Sequence, residues 1–228
     1  MPRDTFERSL HQLQDEILLL GSMVEDALVE SVDALKQQDL RRAKELIVAD
    51  RQINKKRFAI EADVLALIAT QQPMASDLRV LASILEIATE LERIGDYAKG
   101  IAKVNLLIGE EPLMKPLIDL PRMAEKARDM LHQSLQAFVS RDIELARAVA
   151  AGDAEVDALY NQVYRELATF IMCDPRTINQ SMHLLWVGHN IERTADRVTN
   201  ICERVIFTVT GTMVELEGEE DIGVEGLA

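Results

Sequence analysis

The chain is poor in the residues that characterise most other kinds of fold. Its 228 residues include only 10 Gly, 6 Pro and 2 Cys, and aromatic residues make up 4%. Cys173 and Cys202 stand apart without a paired spacing, which argues against a disulfide scaffold or a thiolate metal site. No segment shows the sustained apolar–polar alternation of a half-buried strand, so we assign no strands. The sequence therefore predicts an all-α protein.

Further absences bear on location and partners. No apolar run approaches the roughly 20 residues of a membrane-spanning helix, and the opening MPRDTFERSL is too polar for a signal peptide. We therefore expect a soluble, cytoplasmic protein. Basic residues are in the minority, because the net charge is −14. An acidic protein repels phosphate backbones, so we expect no nucleic-acid partner.

Start and stop signals predict six long helices, over about residues 4–36, 39–70, 76–108, 119–139, 142–172 and 175–210. Asp39 and Asp142 are predicted N-caps, as is Ser76 or Asp77, and Asp174 precedes a proline at a first helical position. The segment 109–121, with three prolines, is the obvious linker.

The two halves of the chain repeat one another. At an offset of 103, five residues of the first half have counterparts in the second: Asp26, Ser31, Asp39, Asp50 and Ile53 align with Asp129, Ser134, Asp142, Asp153 and Val156. The third predicted helix aligns with the sixth at an offset of 100. We therefore predict two tandem, pseudo-repeated three-helix bundles, at residues 1–110 and 111–213, followed by an acidic, disordered tail at 214–228.

Acidic pairs recur at the same place in both halves. Glu92 and Asp96 in the third helix match Glu192 and Asp196 in the sixth. The second helix of each half has a polar pair with the same spacing. If the second and third helices are antiparallel neighbours, the pairs converge into two candidate metal sites: Asp50, Asn54, Glu92 and Asp96 in the first half, and Asp153, Asp157, Glu192 and Asp196 in the second.

The acidic pairs lie beside the core-facing stripes of their helices. In the third helix, that stripe consists of Ile84, Ile87, Leu91, Ile94, Ala98, Ile101 and Ile108. At 100° per residue, Glu92 and Asp96 fall on a flanking face that includes Gly95. Small neighbours on this face leave room for a second helix, an ion or water.

A bridging cation would explain the recurring acids. Residues i and i+4 of a helix have Cβ atoms about 5–6 Å apart, and like charges there cost about 0.2–0.5 kcal/mol. Carboxylate oxygens suit hard ions such as Mg²⁺, Ca²⁺, Mn²⁺ or iron. The amide of Asn54 predicts weaker cation binding in the first half. Two alternatives remain open: the acids form an ordinary solvated face, or Arg93, Arg193 and Arg197 neutralise them.

Three segments closely resemble the PhoU family, accessory regulators of the bacterial phosphate-specific transport system: QQPMASDLR, LEIATELERIGDYAKGI and LLWVGHNIERTADRVTNICERVIF. The resemblance covers about residues 4–213 and occurs in both halves. It implies two three-helix bundles whose E(D)xxxD motifs form metal-cluster sites, with iron or zinc reported for the class. The matching pairs are Glu92 with Asp96, Glu192 with Asp196, and Asp153 with Asp157. Asp50 with Asn54 departs from the motif at its second residue.

The resemblance also implies a function. PhoU-like proteins are negative regulators of the phosphate-starvation response that couple the ATPase subunit of the phosphate ABC transporter to a membrane sensor histidine kinase. They are generally not enzymes, and several form homodimers. We therefore expect a signalling adaptor with bound metal ions: iron, zinc or magnesium. The alternatives are a carboxylate-bridged metal-dependent hydrolase, a metal-storage helical protein, and a structural helical module with solvated acids.

Overall fold

The computed structural model describes residues 2–216, with side chains from Thr5 onward, and these residues are almost entirely helical. The α-helices are α1 (Pro2–Gln37), α2 (Leu40–Gln71), α3 (Ala75–Ile108), α4 (Asp119–Ser140), α5 (Ile143–Ala150), α6 (Asp153–Cys173) and α7 (Ile178–Thr210). A short 3₁₀ helix, Pro175–Thr177, precedes α7. Most of the expected acidic tail, 214–228, lies outside the described residues.

Capping explains most of the helix starts. Asp39 and Asp142 each accept a hydrogen bond at 2.9 Å from the backbone N–H three residues later, as predicted. Asp174 likewise caps the 3₁₀ helix through the N–H of Arg176. The predicted cap of the third helix is wrong, because α3 already begins at Ala75 and its N-cap residue makes no side-chain capping bond.

One predicted helix is interrupted. The expected fifth helix, 142–172, is divided into α5 and α6 by a turn at Ala151 and Gly152. Gly152 N–H bonds to the Val149 carbonyl at 2.9 Å, a three-residue spacing tighter than that of an α-helix. Glycine costs about 1 kcal/mol relative to alanine inside a helix. At the equivalent position of the first half, α2 has Ala49 and is continuous.

The helices form two bundles that lie side by side. In the first bundle α2 packs on α1 and α3, and in the second α6 packs on α4 and α7. The bundles meet where α1 contacts α4 and where α3 contacts α7. The junctions of α2 with α3 and of α6 with α7 therefore lie toward the outer sides of the molecule. The predicted fold class, all-α with two pseudo-repeated three-helix bundles, is confirmed.

The helices α3 and α7 run antiparallel across the bundle interface. Ser83 accepts a 2.8 Å hydrogen bond from Thr208, whereas Glu90, further along α3, contacts Arg197, earlier in α7. Every residue of the predicted α3 stripe is buried, and most of the buried apolar side chains of both bundles form one continuous cluster. Within residues 2–216, none of the helices contains an apolar stretch of the length that a membrane span requires.

Candidate metal sites on the two bundles

The first predicted site forms where α2 meets α3. Asp50 of α2 is 5% exposed, and the amide of Asn54 donates a 3.2 Å hydrogen bond to Asp50 Oδ2. The charges of Asp50 and Asp96 both act on Glu92. The structure therefore brings the four predicted residues of the first half together, and the side chain of Asn54 is turned toward its own helix.

A lysine that was not among the predicted residues bridges this first site. Lys99 Nζ lies 2.7 Å from Asp50 Oδ2 and 3.1 Å from Asp96 Oδ1, so its ammonium joins α2 to α3. The hydrogen bond to Asp50 raises the pKa of Lys99, which keeps this lysine charged. Asp50 Oδ1 is buried and makes no hydrogen bond within the described part of the chain.

Burial and the neighbouring charges both shift the pKa of Glu92. Burial raises the pKa of this carboxyl most, and the nearby charge of Asp96 raises it further. Arg57, one turn beyond Asn54 on α2, acts in the opposite direction. The first site is therefore acidic, with Lys99 bound to two of its carboxylates and with Arg57, which pairs with Glu61 at 3.0 Å, nearby.

The second predicted site forms where α6 meets α7. The carboxylates of Asp157 and Asp196 both act on Glu192, whose pKa is raised by burial first and by Asp196 next. Asp153 lies in the first turn of α6, where a carboxylate also favours the helix dipole. Three of the four predicted acids of the second half thus share one electrostatic environment.

Two side chains of α7 contact the acids of the second site. Arg193 pairs with Asp196 at 2.8 Å, and its interaction with Tyr97 of the first bundle raises the pKa of Arg193. His189 Nδ1 lies 3.1 Å from Glu192 Oε2 without hydrogen-bond geometry, and no other described residue bonds that oxygen. The ring of His189 is 6.2 Å, between centroids, from that of Tyr160.

The three arginines considered from the sequence have different roles. Arg193 does neutralise a site acid, Asp196. Arg197 instead pairs at 3.4 Å with buried Glu90, across the bundle interface, and Arg93 lies 3.9 Å from the same carboxylate. The sequence spacing could have predicted the contact of Lys99 with Asp96, because Lys99 follows Asp96 by three residues on the same helix face.

Comparison with known proteins identifies the fold and the family together. The family model for the PhoU domain matches the chain twice, at residues 17–104 and 120–205. The chain belongs to the PhoU family. A relative from Clostridium acetobutylicum, the "phosphate-specific transport system accessory protein PhoU homolog", is 37% identical over 95% of this chain and 99% of its own. One from Aquifex aeolicus with the same description is 35% identical over 91% and 94%.

Solved PhoU structures have the same architecture. The chain matches the PhoU phosphate transport system regulatory protein of Streptococcus pneumoniae with a TM-score of 0.85 and 33% identity, over 92% of this chain and 99% of that one. The PhoU crystal structure from Pseudomonas aeruginosa matches equally well, over 91% and 100%. Each PhoU domain match contains one set of predicted metal residues. The PhoU membership predicted from the sequence is therefore confirmed.

The metal clusters that PhoU membership implies fit the two bundles unequally. Within residues 2–216, no three His, Cys, Asp or Glu side chains are arranged as a ready-made metal site. The second bundle has suitable donor chemistry, with four carboxylates, although Asp196 is held by Arg193. In the first bundle, the Lys99 ammonium already bridges the carboxylates of Asp50 and Asp96. Metal binding by these PhoU residues thus stays a prediction.

Proposed function

We propose that this PhoU protein is a negative regulator of phosphate uptake and of the phosphate-starvation response. It acts as a cytoplasmic adaptor between the ATPase subunit of the phosphate ABC transporter and a membrane sensor histidine kinase, and it is not an enzyme. The observation that carries this proposal is the family match in both halves. It is supported by relatives named as accessory proteins of the phosphate-specific transport system, which align over nearly their whole length.

The proposed mechanism is protein contact through long helices. Helices of more than 30 residues, such as α3 and α7, extend roughly 50 Å at 1.5 Å per residue and present stiff surfaces. With a net charge of −14, the chain is suited to basic patches on partner proteins and not to nucleic acid. Its contact with the membrane is made through those partners, and it works as a homodimer.

Metal ions are a further part of this proposal. Iron, zinc or magnesium would be held by the carboxylates at the junction of α6 and α7: Asp153, Asp157, Glu192 and Asp196. A bound cation supplies positive charge that offsets the repulsion among these acids. The chain's own contribution is to hold the four carboxylates on two packed helices, so that the surface offered to a partner is fixed.

Complementation tests the regulatory role. A bacterial strain that lacks its own PhoU protein should regain low phosphate uptake and low starvation-reporter expression in phosphate-rich medium when it produces this chain. The empty vector is the control. If uptake and reporter expression both stay at the level of the empty vector while the protein accumulates, the regulatory role is wrong.

Co-purification tests the partners and the assembly. Affinity capture from phosphate-replete cells should enrich the transporter ATPase subunit and the sensor kinase over a capture with an unrelated acidic helical protein. Light scattering of the purified protein should give about twice the 25.6 kDa of one chain. A monomeric mass would show that the homodimer is wrong. The adaptor role would still be tested separately, by the capture experiment.

A further inference from the structure

The two bundles contain the same six-residue constellation in two charge states. Equivalent positions are related by 103 residues between α2 and α6 and by 100 between α3 and α7. Three positions are acidic in both halves: Asp50 and Asp153, Glu92 and Glu192, Asp96 and Asp196. Three differ: Asn54 and Asp157, Arg57 and Tyr160, Lys99 and Thr199.

All three differences shift the charge in the same direction. The first set has three acids and two bases, a net charge of −1, whereas the second has four acids and no base, a net charge of −4. The structure confirms that the unlike residues occupy comparable places. Arg57 acts electrostatically on Glu92, and Glu192 acts on Tyr160. These three differences therefore make the second set more acidic than the first around the carboxylates that the two sets share.

In the first bundle, the counter-charge is built into the chain. Asp50 is 5% exposed, and a buried carboxylate requires a partner charge. The Lys99 ammonium supplies it at 2.7 Å and reaches Asp96 of the neighbouring helix at 3.1 Å. The ammonium binds one oxygen of each carboxylate, Asp50 Oδ2 and Asp96 Oδ1, and its positive charge repels a second cation from this junction.

In the second bundle, the corresponding positions supply no cation. Thr199 is buried, and its hydroxyl is directed at the Ala195 carbonyl of its own helix, 3.5 Å away. Tyr160 packs its ring against Gly188, so close that a Cβ there would come within 3.1 Å. The neighbouring bases are Arg193, which is shared with Tyr97 of the first bundle, and His189, which is half-exposed.

We infer that Lys99 takes the place of a metal ion in the first bundle, so that this chain binds divalent metal at the second bundle alone. This inference rests on the metal binding proposed above. It adds that the two bundles differ, because only the second binds a metal ion. The first bundle holds its own counter-charge for Asp50 and Asp96, whereas the α6–α7 junction depends on an external cation. Metal availability would then act on one half of the protein.

Counting bound ions in matched variants tests this inference. Mn²⁺ and, in parallel, Zn²⁺ are titrated into wild-type protein, Lys99→Met and Lys103→Met, and the bound ion is measured by dialysis and elemental analysis. Lys103 is exposed, one turn further along α3, and serves as the control. Lys99→Met should gain a set of bound ions that wild type and Lys103→Met lack. The double variant Lys99→Met/Asp96→Asn should lose that gain.

The gained ion has a second signature in thermal stability. Asp50 loses its counter-charge in Lys99→Met, so the Tm of this variant should fall without metal, and Mn²⁺ should raise it by more than it raises the Tm of wild type. The methionine has space, because Lys99 borders a cavity of about 270 Å³ with an apolar floor that includes Met23 and Leu46. If Lys99→Met binds no more metal than wild type, and Mn²⁺ raises its Tm by no more than it raises that of wild type, the inference is wrong.

Asp196→Asn decides the question even if Lys99→Met does not fold. Metal binding by this variant should be at least about tenfold weaker than by wild type, with no remaining set of tight ions. Tight ions that persist in Asp196→Asn and disappear in Asp96→Asn/Asp196→Asn would overturn the asymmetry while leaving the proposed metal binding intact. A wild-type protein that binds neither ion would overturn both the inference and the metal part of the proposed function.

Discussion

Burial decides how much a single carboxylate depends on its partner. Asp50 and Asp96 both contact Lys99, but Asp50 is 5% exposed, whereas the Asp96 side chain is 51% exposed. Removing one partner of a buried pair typically costs about 3–5 kcal/mol, and an exposed pair contributes about 0–1 kcal/mol. The loss of Lys99 should therefore destabilise the protein through buried Asp50, and hardly at all through exposed Asp96.

The two cysteines also differ in burial, and this difference predicts different reactivities for their thiols. Cys202 is fully buried, and burial raises the pKa of its thiol to about 12, whereas Cys173 is exposed. Because the thiolate is the reactive form, Cys202 stays protonated and unreactive until the pH nears that value. Iodoacetamide at pH 8 should add one group to the native protein, at Cys173, as seen by peptide mass spectrometry.

Denaturant provides the control for this prediction. In guanidinium chloride both thiols are exposed, and two groups should be added at similar rates. Equal labelling of Cys173 and Cys202 in the native protein would show that α7 opens at Cys202 far more readily than its burial implies.

At the scale of helices, α3 and α7 are joined by polar contacts that the internal repeat alone does not predict. Glu90 is buried and contacts Arg197 and Asn200 of the other bundle, at 3.4 and 3.3 Å. The residue equivalent to Glu90 in α7 is Asn190, which donates to the carbonyl of its own helix at Trp186. Equivalent positions of the repeat therefore make different contacts once the two helices face each other.

The contact between α1 and α4 depends on a glycine. Gly21 is buried in α1, and a Cβ there would lie 2.1 Å from Leu135 Cδ1 of α4. Gly21→Ala should lower the free energy of unfolding by up to about 2 kcal/mol, because overpacking costs about 1–3 kcal/mol and alanine regains about 1 kcal/mol of helix preference. Guanidinium denaturation measures the change.

Gly95→Ala is the matched control for that substitution. Gly95 is also buried in a helix, but its added Cβ would lie 3.2 Å from Ile53, and the equivalent residue of α7 is Ala195. We expect a change below about 1 kcal/mol. The double variant Gly21→Ala/Leu135→Val should be less destabilised than the sum of its single changes. Equal effects of Gly21→Ala and Gly95→Ala would contradict a clash between α1 and α4.

At the scale of the whole molecule, the two bundles share one core. The cluster of buried apolar side chains includes Ile17 of α1, Ile94 of α3, Phe138 of α4 and Val198 of α7. Separating the bundles would expose much of this surface at about 25 cal/mol per Å² of apolar area. The domain boundary predicted at residue 110 therefore separates two repeats that support each other.

This shared core predicts a single unfolding transition. The one tryptophan, Trp186 of α7, lies against Gly100 of α3, so its fluorescence reports on the interface. Guanidinium curves from Trp186 fluorescence and from far-UV circular dichroism should have the same midpoint. A fluorescence change that is complete before the helical signal is lost would instead show that the bundles separate or unfold independently.

The sequence by itself determined most of the helices, their repeat and the family. Cap residues, prolines and 3.6-residue periodicity are local signals, so the stripe from Ile84 to Ile108 was found buried as predicted. The same holds for the acidic pairs, because the spacing from Glu92 to Asp96 fixes their common face. Local spacing also carries the motifs by which PhoU proteins are recognised.

The tertiary structure determined which charged side chains form ion pairs with one another. Lys99 reaches Asp50 across 49 positions of sequence, and Arg197 contacts Glu90 of the other bundle in place of a nearby site acid. The tertiary structure likewise shows the break at Gly152, which separates α5 from α6 although the sequence pattern predicts one continuous helix. Charge pairing acts through space and depends on burial, so it follows from how the helices pack, which no single helix pattern contains.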